Sequence, residues 1–197
     1  MTKPKAEPVE TPLAILVVCT GNICRSPLAE QLLHARLTAA GIPATVTSAG
    51  TRAMVTHAMT PEAAALSTTY GGAPAAHKAQ HLTEGLIANA DLVLTATREH
   101  RSEVVSLHPR ANRYAYTLNQ FARLVAASEA EPAETVQGFL DEISAARGLN
   151  PPPARADDDD IEDPYRRSQD VYDRSGAAVD AAVTTITAGL AAAVGRP

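Results

Sequence analysis

Leu13 to Val18 is an unbroken apolar run, the pattern of a strand covered on both faces of a parallel sheet. The period then changes. From Pro27 to Ala40, Leu28, Leu32, Ala35 and Ala39 recur at helical spacing, and Gly41 supplies a stop. Ala44 to Ala49 alternates as a second strand. Thr60-Pro61-Glu62 reads as a helix start, and Gly71-Gly72 breaks that helix after about Tyr70. Asp91 to Thr95 predicts a third strand and Thr97 to Leu107 a helix. Arg113 to Tyr116 predicts a fourth strand, and Leu118 to Ala127 another helix. Gln169 to Val194 places Val171, Ala178, Val179, Ala182, Val183, Ile186 and Leu190 on one face, a helix packed on the sheet. Strands alternating with helices predict an α/β fold with a parallel sheet. The 197 residues fit one domain.

Two stretches break the alternation. Residues 1–12 are polar and proline-rich and read as a disordered leader. Between Ala127 and Asp160 the chain holds nine Asp/Glu against two Arg, a net of -7, although the whole chain carries only -5. Thr135 to Arg147 fits one amphipathic helix through Val136, Phe139, Leu140 and Ile143. Pro151-Pro152-Pro153 and Asp157 to Asp160 read as extended and solvated. The expectation is an acidic surface insertion at about 127–160 with no chemical role. Its four aspartates lack the ligand spacing and turn glycine of a Ca²⁺ loop.

The chemistry concentrates where the first strand ends. Val18-Cys19-Thr20-Gly21-Asn22-Ile23-Cys24-Arg25-Ser26-Pro27 joins that strand to the first helix. A loop of this size, closing on a helix N-terminus, can turn several backbone N–H groups toward one point and bind a tetrahedral dianion. Cys19 lies at its floor, where the same N–H groups stabilise a thiolate. A lone cysteine in an apolar strand is ordinarily inert core, but the residues that follow have no core role. Gly21 and Asn22 tolerate positive φ. Arg25 can hold two phosphate oxygens at once. Ser26 can cap the helix, and Pro27 fits its first turn. The loop lacks the Gly-Lys-Ser/Thr ending of a nucleotide-binding P-loop.

This segment resembles the signature of the low-molecular-weight protein tyrosine phosphatases, Cys-x5-Arg-Ser after a first strand, and matches from Val17 to Glu30. Three further blocks agree in order: Ser48-Ala49-Gly50-Thr51, Ala76-His77-Lys78-Ala79 and Ile161-Glu162-Asp163-Pro164-Tyr165. The resemblance runs from about Leu13 to the C-terminus, save the acidic insertion. It implies a four-stranded, flavodoxin-like parallel sheet with the phosphate loop after the first strand. It implies hydrolysis of phosphotyrosine in proteins through a phosphocysteine, with no cofactor and no metal. Cys19 is then the nucleophile, Arg25 the phosphate clamp, and Asp163 the general acid and later the general base. Pro164 keeps Asp163 on a stiff turn. Thr20, Gly21, Asn22, Ile23, Cys24 and Ser26 would surround the phosphate. Tyr165 would wall the cleft, and Ser48 and His77 would brace the loop. Two positions depart from the pattern. Arg166 stands where many members have a second aromatic, and Gln80 replaces the arginine of His-Lys-Ala-Arg.

The remaining features narrow the class. A net charge of -5 speaks against a nucleic-acid binder. The leader has no apolar core of a signal peptide, and no apolar run approaches a membrane span, so a cytoplasmic protein with no membrane partner is expected. Cys19 and Cys24 are the only cysteines, too close to staple a fold. Cys24 is either a small loop filler or, as in some family members, a thiol that traps oxidised Cys19. His57, His81, His100 and His108 have no evident partner and default to the surface. Three alternatives stand beside the leading reading. An arsenate reductase needs further cysteines downstream, and none follows Cys24. A protein arginine phosphatase has Thr where this chain has Ile23. A silent phosphate-binding module would not need Cys19, Arg25 and Asp163 together.

Overall fold

The structure, a computed structural model, describes residues 11–128 and 135–193. Four parallel strands form one sheet: β1 (Leu13–Cys19), β2 (Ala44–Gly50), β3 (Leu92–Thr95) and β4 (Ala115–Thr117), in the order β2-β1-β3-β4. The helices are α1 (Arg25–Ala39), α2 (Pro61–Thr69), α3 (Glu84–Ala88), α4 (Arg98–Leu107), α5 (Leu118–Ala126), α6 (Val136–Ala146) and α7 (Gln169–Ala193). Every strand and long helix expected from the pattern is present, most within one or two residues. The fourth strand starts two residues late, because Pro109–Arg113 forms a 3-10 turn ahead of it. α3, capped by the Thr83 hydroxyl, was not expected; five residues are too few to show a period.

The continuous apolar character of β1 follows from its central position. Ile15 and Val17 join the core on one face of the sheet, with Leu28, Leu32 and Leu33 of α1 and Phe121 of α5. Leu16 and Val18 join the other, with Ile87 and Val104 of α3 and α4. From β1 the chain moves to β2 on one side, then crosses to β3 on the other. The crevice opened by that reversal lies at the carboxyl end of β1, where ligands of open α/β sheets bind. Residues 20–24 fill it.

α7 corrects one expectation. At 25 residues it is long and apolar enough to cross a membrane. Here Val179, Ala182, Val183, Ile186 and Leu190 are buried, and the helix packs along α1 and α5.

The insertion corrects another. Phe139, Leu140 and Ile143 of α6 are buried in the main core. Fully burying side chains of this size contributes about 1.5–3 kcal/mol each, so α6 is a structural element of the domain rather than an appendage. Pro151 and Pro152 are exposed as expected. The aspartates are not simply solvated. Ala156–Asp159 winds into a 3-10 turn, with Asp159 buried against Arg123, while Asp157 and Asp160 pair with Arg98. Their charges are matched by arginines from two other helices, which the local sequence does not reveal. The expected leader falls outside the described residues, apart from exposed Thr11 and Pro12.

Candidate active site

The loop after β1 is shaped by where its carbonyls go. Cys19 O accepts from Thr51 N, Thr20 O from Arg52 N and Gly21 O from Met54 N. Asn22 O accepts from His77 Nε2 at 2.7 Å, Ile23 O from Thr60 N and Cys24 O from Leu28 N. Every peptide here is trans, and in a trans peptide the N–H of the next residue points opposite to the C=O. Outward carbonyls from Cys19 to Cys24 therefore turn the N–H groups of Thr20 to Arg25 inward. That is the expected anion cradle, at the N-terminus of α1. Gly50 lets the second strand come this close: a Cβ there would lie 2.5 Å from Thr20 O.

Asn22 sits in the left-handed region at φ 56°, whereas Gly21 keeps a negative φ. The strain is held by side-chain bonds. Asn22 Nδ2 donates to Ser26 Oγ at 3.0 Å and to Ser48 Oγ at 2.7 Å, and its Oδ1 accepts from Gln80 N at 2.9 Å. Ser48 Oγ donates a hydrogen bond to Glu30 Oε2, whose carboxyl also lies 3.8 Å from His77 Nδ1. Burial pushes the Glu30 carboxyl up, and the Ser48 hydrogen bond and nearby His77 partly offset that. Gln80 Nε2 donates to Ser48 O at 2.9 Å, so the residue standing in for the usual arginine still braces the loop.

Ser26 is not the helix cap. The residue at that position is Cys24, with no capping side-chain bond. The Ser26 hydroxyl lies 3.0 Å from Cys19 Sγ and 3.4 Å from Ala49 O, and it already accepts from Asn22. Its single proton is shared between two acceptors, the sulfur at 3.0 Å and Ala49 O at 3.4 Å. Cys24 is buried, 3.5 Å from Thr60 Oγ1 and 3.7 Å from Tyr172 OH. Burial pushes its thiol up despite those contacts. Both cysteines are free.

Arg25 is 4 % exposed and joins the loop to the Asp-Pro segment. Its Nη1 donates to Ile161 O at 3.0 Å, and its Nη2 pairs with Asp163 Oδ2 at 2.9 Å. Its Nε is buried with no partner among the described residues. Arg123 Nε and Arg147 Nε are likewise buried without a partner among the described residues; the Arg25 donor differs in lying at the loop, within reach of an anion held there. Asp163 is half-exposed, and its other oxygen accepts from Tyr165 N at 3.2 Å. Cys19, Ile23, Arg25, Asp163 and Tyr165 line one cavity of about 190 Å³, together with Arg52 and Met54. The Arg166 guanidinium lies over the Tyr165 ring, 5.1 Å from its centre.

Four participants escaped the sequence: Arg52, Met54, Glu30 and His100. Arg52 and Met54 follow the Ser48-Ala49-Gly50-Thr51 block, which was a signal for their place in the site. His100 had none. It is buried, not on the surface, with Nε2 2.8 Å from Thr20 Oγ1 and Nδ1 2.7 Å from Thr97 Oγ1. Burial, reinforced by Arg25, pushes it down to about 4, so the ring is neutral at pH 7. His108 also gains a partner, Glu84 at 3.2 Å, while His57 and His81 are exposed as expected.

A family model described as low molecular weight phosphotyrosine protein phosphatase matches residues 14–142. The match stops inside α6, within the insertion and short of Asp163. The Etp low molecular weight protein-tyrosine-phosphatase of Escherichia coli is 38 % identical over 96 residues, 49 % of this chain and 62 % of that protein's length. The chain thus spans under two thirds of that relative. A protein-arginine-phosphatase of Bacillus subtilis is 34 % identical over 128 residues, 64 % of this chain and 82 % of its own length. The crystal structure of the Erwinia amylovora tyrosine phosphatase AmsI superposes with a TM-score of 0.65 at 25 % identity, covering 89 % of this chain and 91 % of that one. With the Cys-x5-Arg loop cradled at the carboxyl end of β1, the chain belongs to the low molecular weight phosphotyrosine protein phosphatase family.

Proposed function

We propose that this chain hydrolyses phosphotyrosine in protein substrates through a phosphocysteine. The observation that carries the reading is one cavity holding the Cys19 sulfur, the inward N–H edge of its loop, Arg25 and Asp163. In the first step the Cys19 thiolate attacks phosphorus. The P–S bond forms, the ester P–O bond breaks, and the leaving phenoxide takes a proton from the Asp163 carboxyl. The loop N–H groups and Arg25 hold the equatorial oxygens, where charge develops. A dianion in the cradle competes for Arg25 and so releases Asp163 from the pair seen here. In the second step Asp163, now a carboxylate, takes a proton from water. That water attacks phosphorus, the P–S bond breaks, and the returning thiolate meets the Ser26 hydroxyl. Ile23, itself buried, and Tyr165 line the cavity and give a flat aryl group apolar contact. Free cysteines at the site are consistent with a reducing compartment such as the cytoplasm.

Arginine phosphatase is the second reading, favoured by the Bacillus subtilis relative. Against it, Ile23 puts a bulky β-branched side chain on the cavity wall. Steady-state kcat/KM for one peptide carrying phosphotyrosine and for its phosphoarginine counterpart tests the choice. Preference for phosphotyrosine, with a burst of phenol ahead of phosphate from an aryl ester, is expected. Preference for phosphoarginine would reverse the assignment. Phosphate binding with neither substrate hydrolysed would mark a silent binding module.

A further inference from the structure

The half-exposed general acid of the proposed reaction is only as well placed as the chain that leads to it. Ile161, two residues before Asp163, is fully buried. Its N–H donates to Ala96 O at 2.8 Å, just past β3, and its carbonyl accepts from Arg25 Nη1 at 3.0 Å. One residue therefore sets both where Asp163 emerges and how the Arg25 fork is turned.

The three residues before Ile161 are each tied to the scaffold, and all three belong to the acidic end of the insertion. Asp158 O accepts from Asn119 Nδ2 at 3.0 Å. Asp159 is buried with both oxygens near Arg123 Nη2, at 3.2 and 3.4 Å, and Arg123 Nη1 donates to Pro151 O at 3.0 Å. Asp160 makes the fullest contact. Its Oδ1 accepts from the backbone N–H of Arg98 at 2.8 Å, one of the unpaired donors at the start of α4. Both of its oxygens also face the Arg98 guanidinium, Nε at 3.2 Å and Nη2 at 2.9 Å. Arg98 holds Asp157 with the same Nη2. Burial works against the Asp160 carboxylate, but these bonds from Arg98 hold it below the usual range.

We infer that Asp160 and Arg98 are a positioning pair for catalysis: through Ile161 they hold Asp163 over the phosphate cradle and Arg25 within it. The acidic end of the insertion thus serves the reaction without touching substrate. The inference rests on Asp163 being the general acid. A misplacement of about 1 Å in a catalytic group can cost on the order of a hundredfold, and a positioned acid contributes about 10²–10⁴ only within hydrogen-bond reach of the leaving oxygen. Loss of the pair should therefore appear as leaving-group dependence rather than as a uniform loss.

The test uses the full chain and two substrates, p-nitrophenyl phosphate with a good leaving group and phenyl phosphate with a poor one. Asp160→Ala should lose about tenfold in kcat/KM on phenyl phosphate and about twofold on p-nitrophenyl phosphate. Asp160→Asn, which keeps shape and one acceptor for the Arg98 N–H, should fall between that variant and wild type. It also reads out the pair if the alanine variant does not fold. Arg98→Gln should reproduce the pattern from the other side. In an Asp163→Asn background, Asp160→Ala should add no further leaving-group dependence. Equal losses on both substrates, while Asp163→Asn alone stays leaving-group dependent, would overturn the positioning role and leave the acid role intact. Equal losses from Asp163→Asn itself would overturn the acid role and the positioning inference with it.

Discussion

Asn22, at the centre of the phosphate loop, is fully buried and bonded through Nδ2, Oδ1 and its backbone carbonyl. Asp163, at the mouth, is 52 % exposed and held by one ion pair and one backbone N–H. The two segments meet at Arg25 but are fixed by different forces. The loop is held by short, mostly neutral hydrogen bonds out of water, where each unmade bond costs about 1–3 kcal/mol, so its strained shape persists before any ligand arrives. The acid itself extends past buried Ile161 and is held by an ion pair open to water on the Asp163 side, a type of contact worth about 0–1 kcal/mol when exposed. The difference suits the two tasks. An anion cradle works best already formed, whereas in the proposed reaction the acid must part from Arg25 when a phosphate enters and stay free to serve both steps.

The sharpest way to break this comparison is to remove the atom at the centre of the rigid half. Cys19→Ser should lose hydrolysis of aryl phosphates by on the order of 10⁴-fold or more, because a hydroxyl does not ionise as a thiolate does. Circular dichroism should be unchanged, since the loop bonds do not depend on sulfur. Activity retained within about tenfold of wild type would sink the phosphocysteine mechanism. Arg25→Lys strikes where the halves meet. An ammonium cannot reach Ile161, Asp163 and a phosphate from one plane, and a loss of about a hundredfold or more in kcat is expected. A rate near wild type would show that Arg25 is not the clamp.

A third prediction compares the halves by pH. His100 is tied to Thr20 of the rigid loop and is pushed down to about 4, mainly by burial. Its ordinary value is 6.5. The neutral ring favours the fold above pH 6.5. As pH falls the unfolded chain takes up the proton first, so this contribution is lost between pH 6.5 and about 4. From pH 7 to pH 5 the loss is about 2 kcal/mol. Urea unfolding at both pH values should show a correspondingly smaller drop for His100→Asn. The same pH dependence in wild type and variant would mean that the ring is not held neutral.

The smallest effect concerns the rim. Ile23→Thr removes bulk from the cavity wall and should shift kcat/KM toward phosphoarginine relative to phosphotyrosine by about 1–3 kcal/mol. Paired measurements on both proteins check it. An unchanged ratio would place discrimination elsewhere, with Arg52, Met54 and Tyr165 the other walls of the same cavity.

What could be read from the chain alone has a common property: it is local. The cradle is a five-residue link between a strand and a helix, so Cys19, Asn22, Arg25 and Ser26 are placed by adjacent backbone. Their residue types carry the chemistry whatever the rest of the fold does. The buried strand β1, the helix α1 and the stiff Asp163-Pro164 turn are legible for the same reason. Local reading also misled where a residue has two uses. Ser26 looks like a helix cap, but its hydroxyl instead lies among Asn22 Nδ2, Ala49 O and the Cys19 sulfur, partners brought together by the loop and the second strand. His100 looked like a surface histidine because the 80 residues separating it from Thr20 hide the bond between them.

The amino-acid sequence by itself determined the α/β alternation and the candidate nucleophile, clamp and acid, because periodicity and short-range geometry act within a few residues. Only the tertiary structure decided what holds them. Glu30 of α1 reaches Ser48 of β2, and His77 and Gln80 close on Asn22 from a loop more than fifty residues away. An insertion that reads as solvated charge is bolted to α4 and α5 by Arg98 and Arg123. Such bonds depend on which surfaces the packed core brings together, and a charge run in sequence does not say whether its partners are water or arginine.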